Sequence, residues 1–547
     1  MSATYTSADG DILVQNDWTI MIFFAGEQDL SPSMTSQLKA IKDAGFQKDT
    51  SVLIHYDPNR KGVGTFTFDI NRKRKQEMAT AIGDGKDPFV RNLVEDVIPG
   101  APKGATAEEA LKTFLAMGGR FHPAKHYMII LVGHGVIVGN DAFLPDNTPE
   151  TAITLEQLGN ILSNFRGYAD LHGGTVEMIG LHSCSMSAME VVYQLKGAAR
   201  YLLATEGMSF VGSWPYRQMM KKILNEIDEA KSHNRDVNID QLIMSLHKLC
   251  LYNSTDFMFS GLSADLSLCS LQPDKIEELN APIRDLTRAL KQGLKDQRGV
   301  ELITLAHLES QSYYQENYTD LYDFCLCLEK KCGGDDPVQA DMKAACEAVR
   351  ARLQETNKPD GLVVHTDFFG PVYQYSHGLS VYFPWAPPVH DDPPLPGDDI
   401  LLRYKDYAFT KQLGEDSWLS FLEDYFKATL RESREVEDDA YKTIEVVAKA
   451  EGRARVSAAG NGTFTGAPAV SMVDALDDGG RKSSPELSDR EGKSSPELTG
   501  GGCGCSVKNY PMRFTQSPRA FQDPNRGRNG SPAKTSGGVT VSSRRRS

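Results

Sequence analysis

No apolar run in this 547-residue chain approaches the ~20 residues that a membrane-spanning helix needs. The first seventeen residues, MSATYTSADGDILVQND, lack the basic start and apolar centre of a secretory leader. Basic charge is also short: 59 Lys and Arg stand against 73 Asp and Glu, a formal net of −14. A general nucleic-acid binder carries the opposite balance. Cysteine is sparse, with nine in all, at 184, 250, 269, 325, 327, 332, 346, 503 and 505. Scattered thiols in a long chain are not the disulfide framework of a small secreted domain. The densest group, DFCLCLEKKC (323–332), lacks the His or acidic partners of a zinc site, so Cys325, Cys327 and Cys332 read as core thiols. These absences predict a cytoplasmic protein with no nucleic-acid or membrane partner.

What is present is a series of continuous apolar runs. WTIMIFFAG (18–26), SVLIHYD (51–57), HYMIILVGHG (126–135), TVEMIGLHSC (175–184) and ARYLLATEG (199–207) read as strands buried on both faces. GVGTFTFDI (62–70) alternates like an edge strand, DFMFSGLSADL (256–266) reads as a further strand, and HGLSVYFP (377–384) as a late sixth core strand. Helices fall between them. Thr106 with Glu109, and Thr154 with Gln157, have the spacing of capping boxes ahead of amphipathic stretches. Strands alternating with helices predict an α/β fold, a three-layer α/β/α sandwich around a mostly parallel sheet of about six strands. The expected organisation is a tail over 1–16, a core over 17–220, a helical accessory region with a late core strand (378–384) over 221–430, and a largely disordered tail over 431–547. That tail repeats KSSPEL at 482 and 493 and has few core-forming residues.

In open α/β sheets, ligands bind outside the carboxyl ends of the strands. His134 and Gly135 lie just past one strand, and Cys184 lies just past the next. Fifty residues separate His134 from Cys184, the interval found between His and Cys in caspases. A thiol near neutral pH is mostly protonated and needs a base beside it. Histidine supplies that base, and later the acid for a leaving amine. Cys184 is also expected to open a helix, SMSAMEVVYQLKG, whose amides and dipole would favour the thiolate. The Gly135 and Cys184 N–H groups are candidates for an oxyanion hole.

The chain resembles the clostripain family of cysteine peptidases, relatives of caspases, legumains, gingipains and separase. The likeness rests on DWTIMIFFAGEQDL (17–30), HYMIILVGHG, ITLEQL (153–158), HSCSMSAMEVVYQLKGAARYLLATEG (182–207), SWPY (213–216), SGLSADLS (260–267), NYTDLYDFC (317–325) and GLSVYFP (378–384). It implies a caspase-like sheet, a His134–Cys184 dyad and peptide hydrolysis through an acyl-enzyme. It also implies a basic residue before the scissile bond, recognised by acids. Here the family's Asp-Ala-Cys or Asp-Ser-Cys reads His182-Ser183-Cys184, and the acid before SWPY is missing. Glu206, Asp320 and Asp323 are the carboxylates left for that role. His182 is either a neutral pocket wall or a loop-bonding replacement. Trp214 and Tyr216 are expected to wall the cleft.

Relatives mature by self-cleavage at a basic residue between His and Cys. The matching loop (136–160) has no Lys or Arg. The enzyme then works uncut, is cut by an upstream protease, or is cut elsewhere, with Arg166, Arg481 and Lys482 as basic candidates. The expected role is that of a regulatory or defence protease acting on protein or peptide substrates. A catalytically weak scaffold that binds a peptide, and a transpeptidase, are the alternatives. No cofactor is expected. Calcium enters only through the resemblance, and the aspartates of HDDPPLPGDD (390–399) read as turns.

Overall fold

A strand that is apolar on both sides has to be covered on both faces. In the computed structural model the long apolar runs are the inner strands of one sheet. The described residues are 4–6, 12–25, 30–45, 49–57, 65–70, 98–99, 105–136, 142–147, 150–254, 262–314, 316–333, 335–354, 361–386 and 403–429. The tail over 431–547, the aspartates of 390–399, Cys503 and Cys505 lie outside them. Among the described residues no helix is long and apolar enough to cross a membrane.

Among the described residues the central sheet has nine strands. Across it they run Val363–Phe369, Ala264–Ser270, Tyr201–Ala204, Thr175–His182, Ala124–Val132, Asn16–Phe24, Thr50–Tyr56, Phe66–Asp69 and Ile98–Pro99. The five inner strands, from Tyr201–Ala204 to Thr50–Tyr56, are parallel. Two antiparallel strands close each edge. Five of the expected six core strands are the inner ones, and the edges add four. Phe66–Asp69 and Ala264–Ser270 fall on the strands read at 62–70 and 256–266, whereas Ile98–Pro99 and Val363–Phe369 were not anticipated.

Alternation along the inner strands divides the apolar residues between two cores. Met21, Phe23, Leu53, Ile129, Leu131, Ile179 and Leu181 face helices Ala107–Phe121 and Leu155–Leu171. Ile20, Ile22, Phe24, Ile54, Met128 and Ile130 face helices Tyr216–Ser232 and Ile239–Ser254. Three layers result. Both capping boxes form: Thr106 Oγ1 accepts the Glu109 N–H at 3.2 Å, and Thr154 Oγ1 accepts the Gln157 N–H at 3.2 Å.

Two expectations change. Ser380–Tyr382 is not in the central sheet; it joins Ser312–Tyr313 and Tyr318–Asp320 in a separate three-stranded sheet. Its residues are buried as the sequence suggested, but an apolar run specifies burial and not which sheet accepts it. The expected N-terminal tail also carries a short antiparallel pair, Thr4–Thr6 with Ile12–Val14. The strand placed at 256–266 begins at Ala264, and residues 255–261 lie outside the described set.

Candidate active site

The last rung between strands Ala124–Val132 and Thr175–His182 pairs Val132 with His182. Beyond it, the Gly133 N–H donates to the His182 carbonyl. Each chain then advances two residues past its rung, to His134 and to Cys184. Both residues therefore sit at one level of two adjacent strand ends. The two turns touch. A Cβ placed on Gly135 would stand 3.0 Å from the Cys184 carbonyl oxygen, 3.0 Å from Ser183 Cβ and 2.8 Å from Met186 Sδ. Only glycine allows this approach.

His134 is half-buried, and burial holds its pKa below the ordinary imidazole range. The Leu144 N–H donates to its carbonyl at 3.0 Å. In antiparallel geometry that bond makes Gly135 and Phe143 a non-hydrogen-bonded pair. The Gly135 N–H is thus not spent in the ladder. Cys184 is buried, with 3% of its surface exposed. Its Sγ accepts the Ser209 N–H at 3.3 Å and lies 3.6 Å from the Ser209 carbonyl oxygen. The N–H favours the thiolate, and the carbonyl favours the thiol.

Ser185, next in the chain, has φ +55°. A left-handed serine carries strain of ~1–3 kcal/mol. The turn is held by Ser185 N–H donating to Gly207 O at 2.9 Å and Ser187 N–H donating to Thr205 O at 2.8 Å. This corrects the expectation that Cys184 opens a helix. The helix is Met189–Gln194 and begins five residues later. The amide that reaches the sulfur is the Ser209 N–H.

The sequence model of the clostripain family, peptidase family C11, matches residues 23–366, well over half of the chain. The chain belongs to the clostripain family. That membership makes it a cysteine peptidase. Solved structures similar to this clostripain-family chain include an inactive zymogen C11 protease from Parabacteroides distasonis, at 17% identity and TM-score 0.46, covering 73% of this chain and 98% of that one. A secreted C11 cysteine protease from Bacteroides thetaiotaomicron, in complex with an irreversible peptide inhibitor, has 14% identity and TM-score 0.47, covering 74% and 99%. A search of curated proteins finds no match.

Within this clostripain-family site the other expected residues fall into two groups. The first lies under the cysteine turn. His182 donates from Nε2 to the Phe210 carbonyl at 2.8 Å and accepts the Tyr216 hydroxyl at Nδ1 at 2.9 Å. Its ring stacks on Trp214 at 4.5 Å and 8°. Burial pushes its pKa down to about 4, so it is neutral. Of its two readings, the loop-bonding one matches these contacts. Trp214 and Tyr216 are 2% and 1% exposed. They lie beneath the site rather than walling an open cleft, because both rings are packed in the core shared with Ile130 and Met178. Ser183 is also buried, and its carbonyl accepts the Thr205 hydroxyl at 3.3 Å.

The second group is a set of buried acids. Glu206, Asp320 and Asp323 are 0%, 0% and 1% exposed. None offers an exposed carboxylate to a basic substrate residue. Glu206 Oε2 accepts the Gly378 N–H at 2.8 Å and the Tyr313 hydroxyl at 3.1 Å. Asp320 accepts the Asp323 and His377 N–H groups. Asp323 accepts the Gln311 N–H at 2.8 Å. Burial, then the charges of Asp320 and Asp265, raise the Glu206 pKa well above the carboxylate range.

Sequence reasoning missed Asp265, Ser209 and Tyr373. Asp265 spans the Glu206 and Gly207 N–H groups at 2.6 and 2.9 Å. The available signal was a lone acid at the start of the apolar strand ADLSLCS. Ser209 acts through its backbone and leaves no sequence signal. Tyr373 accepts the Met208 N–H at 3.2 Å.

Gly135→Ala should drive the two turns apart. The expected loss is about 1–3 kcal/mol of stability, typical of overpacking, with a larger proportional loss in kcat/KM. Thermal melting and steady-state kinetics on the same sample check this.

Proposed function

We propose that Cys184 is the nucleophile of this peptidase and His134 its general base and acid. The Cys184 thiol proton passes to His134 as sulfur attacks the peptide carbonyl. The tetrahedral oxyanion is received by the Gly135 and Cys184 N–H groups. His134 then protonates the departing amine, and a thioester remains. Water, deprotonated by His134, hydrolyses the thioester and frees Cys184. The observation that carries this reading is the level placement of His134 and Cys184, each two residues past the Val132–His182 rung.

The burial of Cys184 supports a latent resting form. The 136–160 loop contains no basic residue. Arg166 lies inside helix Leu155–Leu171, paired with Asp170 at 2.7 Å, and a helix is a poor protease substrate. An upstream protease is therefore the activator this reading favours, within a regulatory or defence cascade. The seven described cysteines are free thiols, which fits a reducing, cytoplasmic setting.

The test is incubation of the full chain with a mixed peptide library, beside a Cys184→Ala control. Cys184-dependent hydrolysis is expected. Joined peptides would identify a transpeptidase. No Cys184-dependent product would identify a peptide-binding scaffold.

A further inference from the structure

Strand order sets the order of loops along the edge where Cys184 sits. Strands Thr175–His182 and Tyr201–Ala204 are parallel, so their carboxyl ends share that edge. Ala264–Ser270 is antiparallel to Tyr201–Ala204, so it starts at that edge, directly after Leu262 and Ser263. Val363–Phe369 is antiparallel in turn and ends there, with Val372 and Tyr373 following after two residues. From His134 the rim therefore passes Cys184, Met208, Leu262 and Val372 in that order. Two hydrogen bonds tie it together: Met208 N–H to the Tyr373 hydroxyl at 3.2 Å, and Val372 N–H to Ser263 Oγ at 3.0 Å.

Three apolar side chains stand exposed on this rim. Met208, Leu262 and Val372 are 39%, 37% and 58% exposed, three of the seven large apolar side chains so exposed among the described residues. Exposed apolar side chains that cluster mark a binding surface, whereas scattered ones do not. The acids nearest the cysteine turn are sunk below it and bonded to backbone amides.

The chemistry orients a bound peptide. The general acid must reach the departing amine, so the amine half lies on the His134 side of the sulfur. The acyl half then runs the other way, over Met208, Leu262 and Val372. We infer that these three side chains form the acyl-side specificity surface, and that the enzyme takes an aliphatic or other uncharged apolar residue before the scissile bond. The inference rests on the Cys184–His134 reading and continues its rim.

The experiment profiles cleavage sites of the full-length protein on a mixed peptide library, then compares matched Leu and Lys substrates. Sites following Leu, Met, Val or Phe are expected, with kcat/KM for Leu over Lys of about tenfold or more. Met208→Glu and Val372→Glu should each lower the Leu-to-Lys ratio by about tenfold. Melting curves confirm that these surface variants fold. Cys184-dependent cleavage confined to Arg or Lys sites, or ratios unmoved in both variants, overturns the inference and leaves the peptidase reading standing. The same holds if Arg or Lys cleavage is lost in Asp367→Asn, the exposed acid of the edge strand. Absence of any Cys184-dependent cleavage overturns both.

Discussion

Cys184→Ala is expected to abolish peptide hydrolysis, with a fall in kcat of up to about 10⁶-fold, the scale found when a catalytic nucleophile is removed. The sulfur cannot be replaced in kind, because the reaction forms a bond to it. His134→Ala is expected to cost about 10²–10⁴-fold, the usual share of a general acid–base group. On the proposed mechanism the two act in one proton transfer, so the double variant should lose little more than Cys184→Ala alone. The pH profile adds an independent check. Burial lowers the His134 pKa from its ordinary 6.5. The neutral base form then persists to lower pH, so the acid limb of kcat/KM should fall below pH 6.5. A limb at or above that value would mean another group controls the reaction.

Glu206→Gln is expected to change how folding stability depends on pH. Burial raises Asp265 from 3.8 to about 7, and Asp320 likewise to about 7. Unfolded, these groups release their protons near 3.8; folded, they keep them until about 7. The folded state therefore binds more protons across that window. Their contribution is fully present below about pH 4 and is lost as pH rises through 7. Buried His55, His182 and His247, each lowered to about 4, act in the opposite sense. Their contribution is present above 6.5 and is lost as pH falls through 4. The wild-type curve mixes both effects, so the difference between variant and wild type is the useful quantity. The glutamine oxygen can keep the Gly378 and Tyr313 hydrogen bonds, and its NH₂ can donate to the neighbouring acids. Burial keeps Glu206 protonated at low pH, so the substitution removes a negative charge only as rising pH ionises the wild-type carboxyl. The variant should therefore gain in Tm relative to wild type between pH 5 and pH 8. An equal Tm difference at both pH values would show that the cluster does not titrate in this range.

The inner sheet was legible because a strand covered on both faces is written as an unbroken apolar run, as in Tyr127–Val132. The helix starts at Thr106 and Thr154 were legible because capping is local chemistry. The two strand ends that precede His134 and Cys184 were legible for the same reason as the inner sheet, and they are neighbours in it. Other features depend on partners distant in sequence. Ser380–Tyr382 reads as core, but only its pairing with Tyr318–Asp320 reveals its sheet. Cys184 reads as a helix start until Ser185 takes φ +55° to satisfy Gly207. Acids in sequence read as surface, so Glu206 and Asp320 looked available to substrate. Their burial is sustained by the Gly378 and His377 amides, 172 and 57 residues away.

The rim of the site is completed late in synthesis. Asp265 anchors the Glu206 and Gly207 amides, and Tyr373 anchors Met208. A nascent chain that has exposed Cys184 still has 185 residues to emerge before strand Val363–Phe369 ends. At ribosomal rates of about 5–20 residues per second, that interval lasts roughly ten to forty seconds. Through that time Cys184 has left the ribosome while the Tyr373 anchor of Met208 remains unmade. A translation pause downstream of Cys184 would lengthen that interval.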